Sequence, residues 1–491
     1  MLFNSFNFLV FFVLITIFYY ITPHKLRWVL LLAGSYYFYM CWRPVFVILL
    51  IFITFVNYIS AIAVYTAKRQ KEKKRILTVS LIINFGILFI FKYLNFFTSS
   101  VASALAFMGI NSPVREFDII LPMGISFFTF QAAAYTIDVY RGKIKPVKHY
   151  GKFSLFISFF PQLVAGPIER SENLLPQFYK KHYFSLERAV DGLKIMLWGF
   201  FKKIVIADRA ATAVNTVFNN CHSYSGLYFI IAMFLFTVQI YCDFSGYSDI
   251  AKGSAKILGF ELMENFKRPF ISTNIKEFWR RWHISLSSWF MDYIYIPLGG
   301  NRKGNLKKYR NLFVTFMVSG LWHGAAWTFV IWGALHGIAL VIYNIFVPYI
   351  YEIKEKTGIA KNRILNWVYN LFAMCGTFLF VAFAFVFFRA NSISDALFVA
   401  RHMFWDFHIW KTPQYLFNVF TSMGLGLFEW RVLLCAVIFL FLTEIFGGDS
   451  IHTSLKKRGF AINFVFYGIA AVFVLLSGVF YNAGEFIYFQ F

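Results

Sequence analysis

Residues 45–66 read VFVILLIFITFVNYISAIAVYT, residues 67–75 read AKRQKEKKR, and residues 76–97 read ILTVSLIINFGILFIFKYLNFF. The first stretch carries no charged side chain and is long enough, at about 20 residues, to cross a bilayer as a helix. The second holds six Lys or Arg against the single acid Glu72. The third returns to apolar residues for another crossing length. Such a pattern has one economical reading. In lipid the backbone must satisfy its own hydrogen bonds, so apolar runs become helices, and the basic turn between them marks the cytoplasmic side.

The same alternation extends along the chain. Apolar runs fall at 6–21, 28–41, 45–66, 76–97, 119–139, 226–244, 311–330, 331–350, 366–388, 431–446 and 460–480, with weaker ones at 152–168 and 189–207. Of the 491 residues 59% are hydrophobic and 14% charged, where a soluble chain averages about 25% charged. Mean hydropathy is +0.61. These values exclude a disordered chain, a disulfide-stapled secreted module and a soluble enzyme with a membrane tail. The fold class expected is an all-α polytopic integral membrane protein with roughly 10–13 spans, forming a single domain over 1–491. Its parts are N-terminal helices at 1–140, a catalytic core at 150–350 and C-terminal helices at 366–491.

The net charge of +24 comes from 47 basic and 23 acidic residues. Because the basic residues sit in short stretches between apolar runs, membrane lipid headgroups are the expected counter-charge, and no nucleic acid partner is inferred. Taking 67–75 as cytoplasmic places 24–27, 141–148, 302–310 and 456–458 on the same side and both termini outside the cytoplasm. Residues 6–21 read as a retained helix, since no charged segment or small-residue cleavage site accompanies them. The cysteines Cys41, Cys221, Cys242, Cys375 and Cys435 show no CxxC spacing, so local spacing supports neither a metal site nor a disulfide frame. Asp243 and Asp249 make a poor metal site by themselves, and no metal is assigned.

The middle, 150–300, is more polar and is broken by Pro161, Pro167, Pro176, Pro269 and Pro297. Broken backbone at membrane depth is tolerated where protein or a wet cavity surrounds it, so re-entrant or interfacial helices around a site are expected here. Three of the ten histidines lie in apolar or aromatic surroundings: His283 in FWRRWHISLSSW (278–289), His323 in VSGLWHGAAW (318–327) and His336 in WGALHG (332–337). An intramembrane ionisable group needs a reason, which is either chemistry or a neutral imidazole bonding two helices together. Gly320 and Gly324 would let a backbone or acyl chain approach His323, and Trp322 and Trp327 would wall it. An imidazole kept neutral in low-dielectric surroundings can act as a general base. Arg280 and Arg281, beside Trp282 and His283, can attract a phosphate-bearing donor or meet headgroups.

The blocks QLVAGPIER (162–170), QIYCDFSGYSD (239–249), FISTNIKEFWRRWH (270–283) and SGLWHG (319–324), with the ending FIYFQF (486–491), resemble the membrane-bound O-acyltransferase (MBOAT) superfamily, and within it the alginate O-acetyltransferase branch. The resemblance implies a helical body with a central tunnel meeting at the active site. It places the family's invariant histidine on His323 and the second polar position, forty residues upstream, on His283. It also implies transfer of an acyl group from a thioester donor such as acetyl-CoA, with no bound cofactor, to an extracytoplasmic polysaccharide. The acetyl group would pass directly or through an SGNH-type acetyltransferase partner, at a bacterial inner membrane. Peptidoglycan O-acetylation and teichoic-acid D-alanylation proteins share the architecture. The rival classes are a polysaccharide transporter, which would show internal repeats that the sequence lacks, and a non-catalytic scaffold.

Overall fold

The computed structural model describes residues 1–110, 117–164, 166–448, 450–480 and 486–487. Ala165 of the QLVAGPIER block and the last four residues of FIYFQF fall outside them. The described residues form helices and connections, with no strand among them. The protein is a multi-pass membrane protein. Six helices among the described residues are long and apolar enough to cross a membrane, or seven if a pair bent by 88° counts as one. Phe6–Ile21 is a shorter apolar helix of 16 residues.

The chain packs as two compact units. The first takes residues 1–196 and 248–263. It contains α1 (Phe6–Ile21), α2 (His24–Met40), α3 (Phe46–Thr66), α4 (Gln70–Phe107), α5 (Ile125–Tyr140) and α6 (Tyr150–Ser158). Apolar contacts gain little between helices already in lipid, so polar side chains join them. Asn57 on α3 and Asn84 on α4 exchange amide hydrogen bonds of 2.8 and 3.2 Å, and the Thr136 hydroxyl on α5 donates to Asn57 Oδ1 at 2.8 Å. Arg27, at sequence level part of a basic loop, is a buried brace instead. Its guanidinium donates to the carbonyls of Thr22 and Tyr20 at the C-terminal end of α1 and to that of His182, where cationic charge suits the helix dipole. The expected run at 152–168 breaks at Phe159, which leaves the helical conformation at φ −53°, ψ 112°, and Pro161 then sits in the first turn of the short helix Phe160–Leu163. The loop beyond it buries Glu169, which accepts hydrogen bonds from the Met263 N–H and the Asn173 amide.

The second unit takes residues 197–247 and 264–490. Helix α7 (Leu186–Phe200) and the long α9 (Leu227–Leu258) contribute residues to both units, whereas α8 (Asp208–Asn219) belongs to the second. Two seven-residue helices follow, α10 (Ile275–Arg281) and α11 (Ile284–Phe290), and then the antiparallel pair α12 (Asn305–His323) and α13 (Trp327–Lys356). Helix α14 (Arg363–Arg389) leads to α15 (Ile393–His402), the bent pair α16 (Pro413–Ser422) and α17 (Leu427–Phe446), and α18 (Phe460–Ser477). The short helices between 150 and 300 match the expectation of broken elements there. The break between α12 and α13 is earlier than the apolar runs suggest. Gly324 and Ala326 are extended, so the helix stops at His323 rather than near residue 330.

Candidate functional site

His323 is the last residue of α12, and His283 is the second of the two residues, Trp282 and His283, that join α10 to α11. Both are in the second unit and both are buried, at 2% and 0% exposure. Their ring centroids stand 6.4 Å apart at 62°. Trp322 packs against both, 5.0 Å from His323 and 6.0 Å from His283. Phe244 of α9 meets the His283 ring edge-on at 4.5 Å, and Trp332 and Phe388 meet His323 at 4.9 and 5.4 Å. The sequence-predicted pair is therefore brought together inside an aromatic box.

Local structure explains the position of His283. Helix α10 is capped by Asn274, whose Oδ1 accepts from the Glu277 N–H at 2.9 Å, while Glu277 Oε2 accepts from the Thr273 N–H and hydroxyl. The helix ends after two turns, and His283 adopts φ +43°, a left-handed conformation that costs a non-glycine residue about 1–3 kcal/mol. Asn265 fixes this turn from the facing strand of chain. Its carbonyl accepts the Ile284 N–H at 2.9 Å, and its Oδ1 accepts the Ser285 hydroxyl at 2.6 Å. Lys267 N–H closes the other side on the Arg281 carbonyl at 2.9 Å. Complete burial pushes the His283 imidazole down to about 3, so it is neutral at physiological pH.

The other sequence candidates divide. Trp282 is 1% exposed and stacks on Phe278 at 5.4 Å, so it is a wall behind the turn. Arg281 reaches Glu277 with two hydrogen bonds of 3.1 and 2.8 Å and the Lys267 carbonyl with a third at 3.2 Å, which commits its fork to the protein. Arg280 is exposed. Gly320 serves packing: a Cβ there would lie 2.3 Å from the Phe329 carbonyl, so the residue admits α13 rather than an acyl chain. Gly324 does not share a helical face with Gly320, because it is the extended residue after the helix, and a Cβ there would strike the Phe329 ring at 2.1 Å. Trp327, expected as a second wall, is 53% exposed; Trp332 takes that place. His336 is the helix tie that a buried histidine often is, with its Nδ1 accepting from Trp279 Nε1 at 3.3 Å.

Sequence reasoning missed Asn265 and Ser285. It also missed the buried partners of Asp243, which is an anchor rather than a metal ligand. Lys203, in the π-helical turn Phe201–Ala207, lies 2.7 Å from Asp243 and 2.8 Å from Asp208. Burial alone would lower this ammonium, but the two carboxylates hold it above its ordinary value. Asp243 Oδ2 also accepts the Ile487 N–H at 2.7 Å, and Phe486 then packs on Phe244 and Tyr247 at 5.6 and 4.7 Å. Phe486 and Ile487 are thereby pinned against the ring that faces His283. Lysine and aspartate within apolar helices are the signal that could have found this cluster. A cavity of about 380 Å³ opens between α13 and α14, lined by Thr273, Asn274, Tyr343, Lys354 and Tyr369 among others and not by either histidine.

The two buried imidazoles, with centroids 6.4 Å apart, are in packing range of each other, and the neutral ring of His283 can donate or accept a proton. Comparison with known proteins gives this geometry a family. Residues 31–386 match the membrane-bound O-acyltransferase family. The probable alginate O-acetylase AlgI of Pseudomonas syringae is 40% identical over 379 residues, 77% of this chain and 70% of the relative. The peptidoglycan O-acetyltransferase of Helicobacter pylori is 36% identical over 399 residues, 76% of this chain and 73% of the relative. The teichoic acid D-alanyltransferase of Bacillus subtilis is 31% identical over 284 residues, 55% of this chain and 69% of the relative. The chain belongs to the membrane-bound O-acyltransferase family and is an acyltransferase of the membrane.

Proposed function

We propose that this acyltransferase moves an acetyl group from a cytoplasmic thioester, acetyl-CoA being the simplest, to a hydroxyl of an extracytoplasmic polysaccharide or peptidoglycan. The observation that carries the reading is the buried pair His283–His323 at the joint of four helices. The acceptor hydroxyl gives its proton to the His323 imidazole as its oxygen attacks the thioester carbonyl carbon. The carbon–sulfur bond then breaks, and the imidazolium returns the proton to the leaving thiolate. The neutral His283 ring hydrogen-bonds the carbonyl oxygen as negative charge develops on it, which is worth most in a dry site. Thioester and acceptor are substrates, and the reading uses no resident cofactor or catalytic metal. The names of the relatives, which cover alginate and peptidoglycan acetylation, support a carbohydrate acceptor. An inner-membrane location, a tunnel joining the two faces, and transfer either directly or by relay through an SGNH-type partner, whose hydroxyl would then be the attacking group, complete the reading.

The D-alanyl alternative rests on the teichoic acid relatives and differs in its donor, which would be an aminoacyl carrier protein rather than free acetyl-CoA. Purified protein in detergent, supplied with radiolabelled acetyl-CoA and a set of polysaccharide acceptors with and without a purified SGNH protein, separates the two. Label transfer dependent on acetyl-CoA supports the proposal. Transfer from a D-alanyl carrier alone overturns it.

A further inference from the structure

We propose that Cys221, His222 and Asp395 form a site for a zinc-class divalent ion, separate from the histidine pair. Cys221 and His222 occupy the single 3₁₀ turn after α8, and Asp395 lies in the first turn of α15. Their sulfur, imidazole nitrogen and carboxylate oxygen all lie within 4.8 Å of one another. His222 Nε2 stands 3.2 Å from Asp395 Oδ1. Two ligands bound tetrahedrally at about 2.0–2.1 Å would be about 3.3 Å apart, so this edge is already at the separation the ion needs. The buried sulfur has only to close by about an ångström from the outer limit of its range.

The donor set narrows the ion. A thiolate beside an imidazole and one carboxylate suits zinc and its neighbours and disfavours calcium or magnesium, which take oxygen ligands. Burial grades outward across the three, with Cys221 enclosed, Asp395 partly covered and His222 largely exposed. A fourth position therefore faces solvent and can hold water.

Surrounding contacts orient the ligands as outer-shell groups do in metal sites. The Asp395 N–H is capped by Ser392 Oγ at 3.0 Å, which sets the carboxylate on the first turn of α15. The His222 ring lies 4.4 Å from Phe398, one turn further along α15, and Phe398 is stacked at 4.0 Å on His402. On binding, the Cys221 thiol releases its proton to solvent and its sulfur bonds the ion, which also takes Asp395 and His222. The ion would clip the connection between α8 and α9 to α15, beside the hydrogen bonds from Arg389 to Asn215 and Asn219. Leu227, where α9 begins, is 17 residues from Phe244, about 25 Å along the helix. The clip thus stands far from His283, and it is independent of the acyl-transfer reading.

The test uses the full-length protein in detergent, stripped with a chelator and titrated with Co²⁺ and then Zn²⁺. Expected are one Co²⁺ per chain at micromolar affinity or tighter, a thiolate-to-cobalt charge-transfer band, loss of that band on adding Zn²⁺, and a higher unfolding temperature with Zn²⁺. Cys221→Ser should abolish the band, and Cys221→Ser and Asp395→Asn should each weaken binding at least tenfold. His323→Ala should bind as wild type does. Folded wild-type protein without the band, or Cys221→Ser binding Co²⁺ as well as wild type, would overturn the proposal.

Discussion

Gly320 and Gly333 hold α12 and α13 in backbone contact: a Cβ built on either would lie 3.1 Å from the Cα of the other. The approach is closer still to carbonyls, with 2.3 Å from Gly320 to the Phe329 oxygen and 2.4 Å from Gly333 to the Phe316 oxygen. Small residues at a helix crossing allow this, and in lipid such packing is a main source of association. His323 ends α12 and Trp332 sits beside Gly333, so the crossing also sets the distance between the base and its wall.

Gly333→Ala should therefore cost about 1–3 kcal/mol, as overpacking of a close contact does. Thermal unfolding in detergent measures it. Gly376→Ala is the control, because nothing lies within 4 Å of a Cβ there. Equal unfolding temperatures for the two variants would show that the crossing is not tight.

Asn265 should act as a positioning residue. Its side chain holds Ser285, and its carbonyl holds Ile284, on either side of the left-handed His283. Asn265→Ala leaves the fully buried Ser285 hydroxyl without this acceptor, which costs about 1–3 kcal/mol. It also loosens the turn that aims the imidazole. We expect kcat to fall by about 10- to 100-fold with the donor KM little changed, on the scale that a misplaced group costs. A fall in membrane abundance with unchanged specific activity would assign Asn265 a purely structural role.

How far the sequence led is seen at three places in the chain. The membrane class and the block around His323 were legible because each depends on a local pattern, an apolar run or a Trp-His-Gly triplet. Helix α12 ending at His323 was not legible, since its capping Gly324 lies within an apolar run, where a glycine is also tolerated inside a helix. Arg281 looked available for a donor phosphate, but four residues earlier the chain places Glu277 on the same helical face, and the pair closes on itself. The Cys221–His222–Asp395 cluster joins residues 173 positions apart, which no spacing rule reaches.

Glu169 should make the first unit sensitive to pH. Burial pushes its carboxyl up to about 7 from 4.5, against the hydrogen bonds from Met263 and Asn173 that favour the charged form. The folded pKa is above the unfolded one. The contribution of this group is therefore fully present below about pH 4.5 and is lost as pH rises through about 7. Between pH 5.5 and 8.5 that loss is about 2 kcal/mol. Wild-type unfolding temperature should fall across the interval by more than that of Glu169→Gln, which keeps a side-chain acceptor for the Met263 N–H. Parallel pH profiles for the two proteins would refute this role.

The basic stretch at 67–75 should face the cytoplasm. Single cysteines at Gln70 and at Arg43, in a background lacking the native cysteines, can be tested with a membrane-impermeant thiol reagent on intact cells. Arg43 follows α2 and Gln70 begins α4, so the one helix α3 separates them in the chain, and labelling is expected at Arg43 and not at Gln70. Labelling at Gln70 in intact cells would reverse the assigned orientation and the entry side for the donor.

The histidine pair carries the central test. His323→Ala should remove general-base catalysis, worth about 10²–10⁴-fold, while protein of normal abundance remains in the membrane. His283→Ala should lower kcat by less, since it removes orientation and carbonyl polarisation but leaves the base. The distinction matters because both rings are buried against aromatic walls, and a packing role would cost stability in either variant. His323→Gln keeps much of the volume and a hydrogen-bonding group but cannot accept and return a proton at neutral pH. If catalysis is the role of His323, the glutamine variant should be as inactive as the alanine variant and more stable. If packing is the role, glutamine should restore acyl transfer, and that result would sink the assignment of His323 as the base.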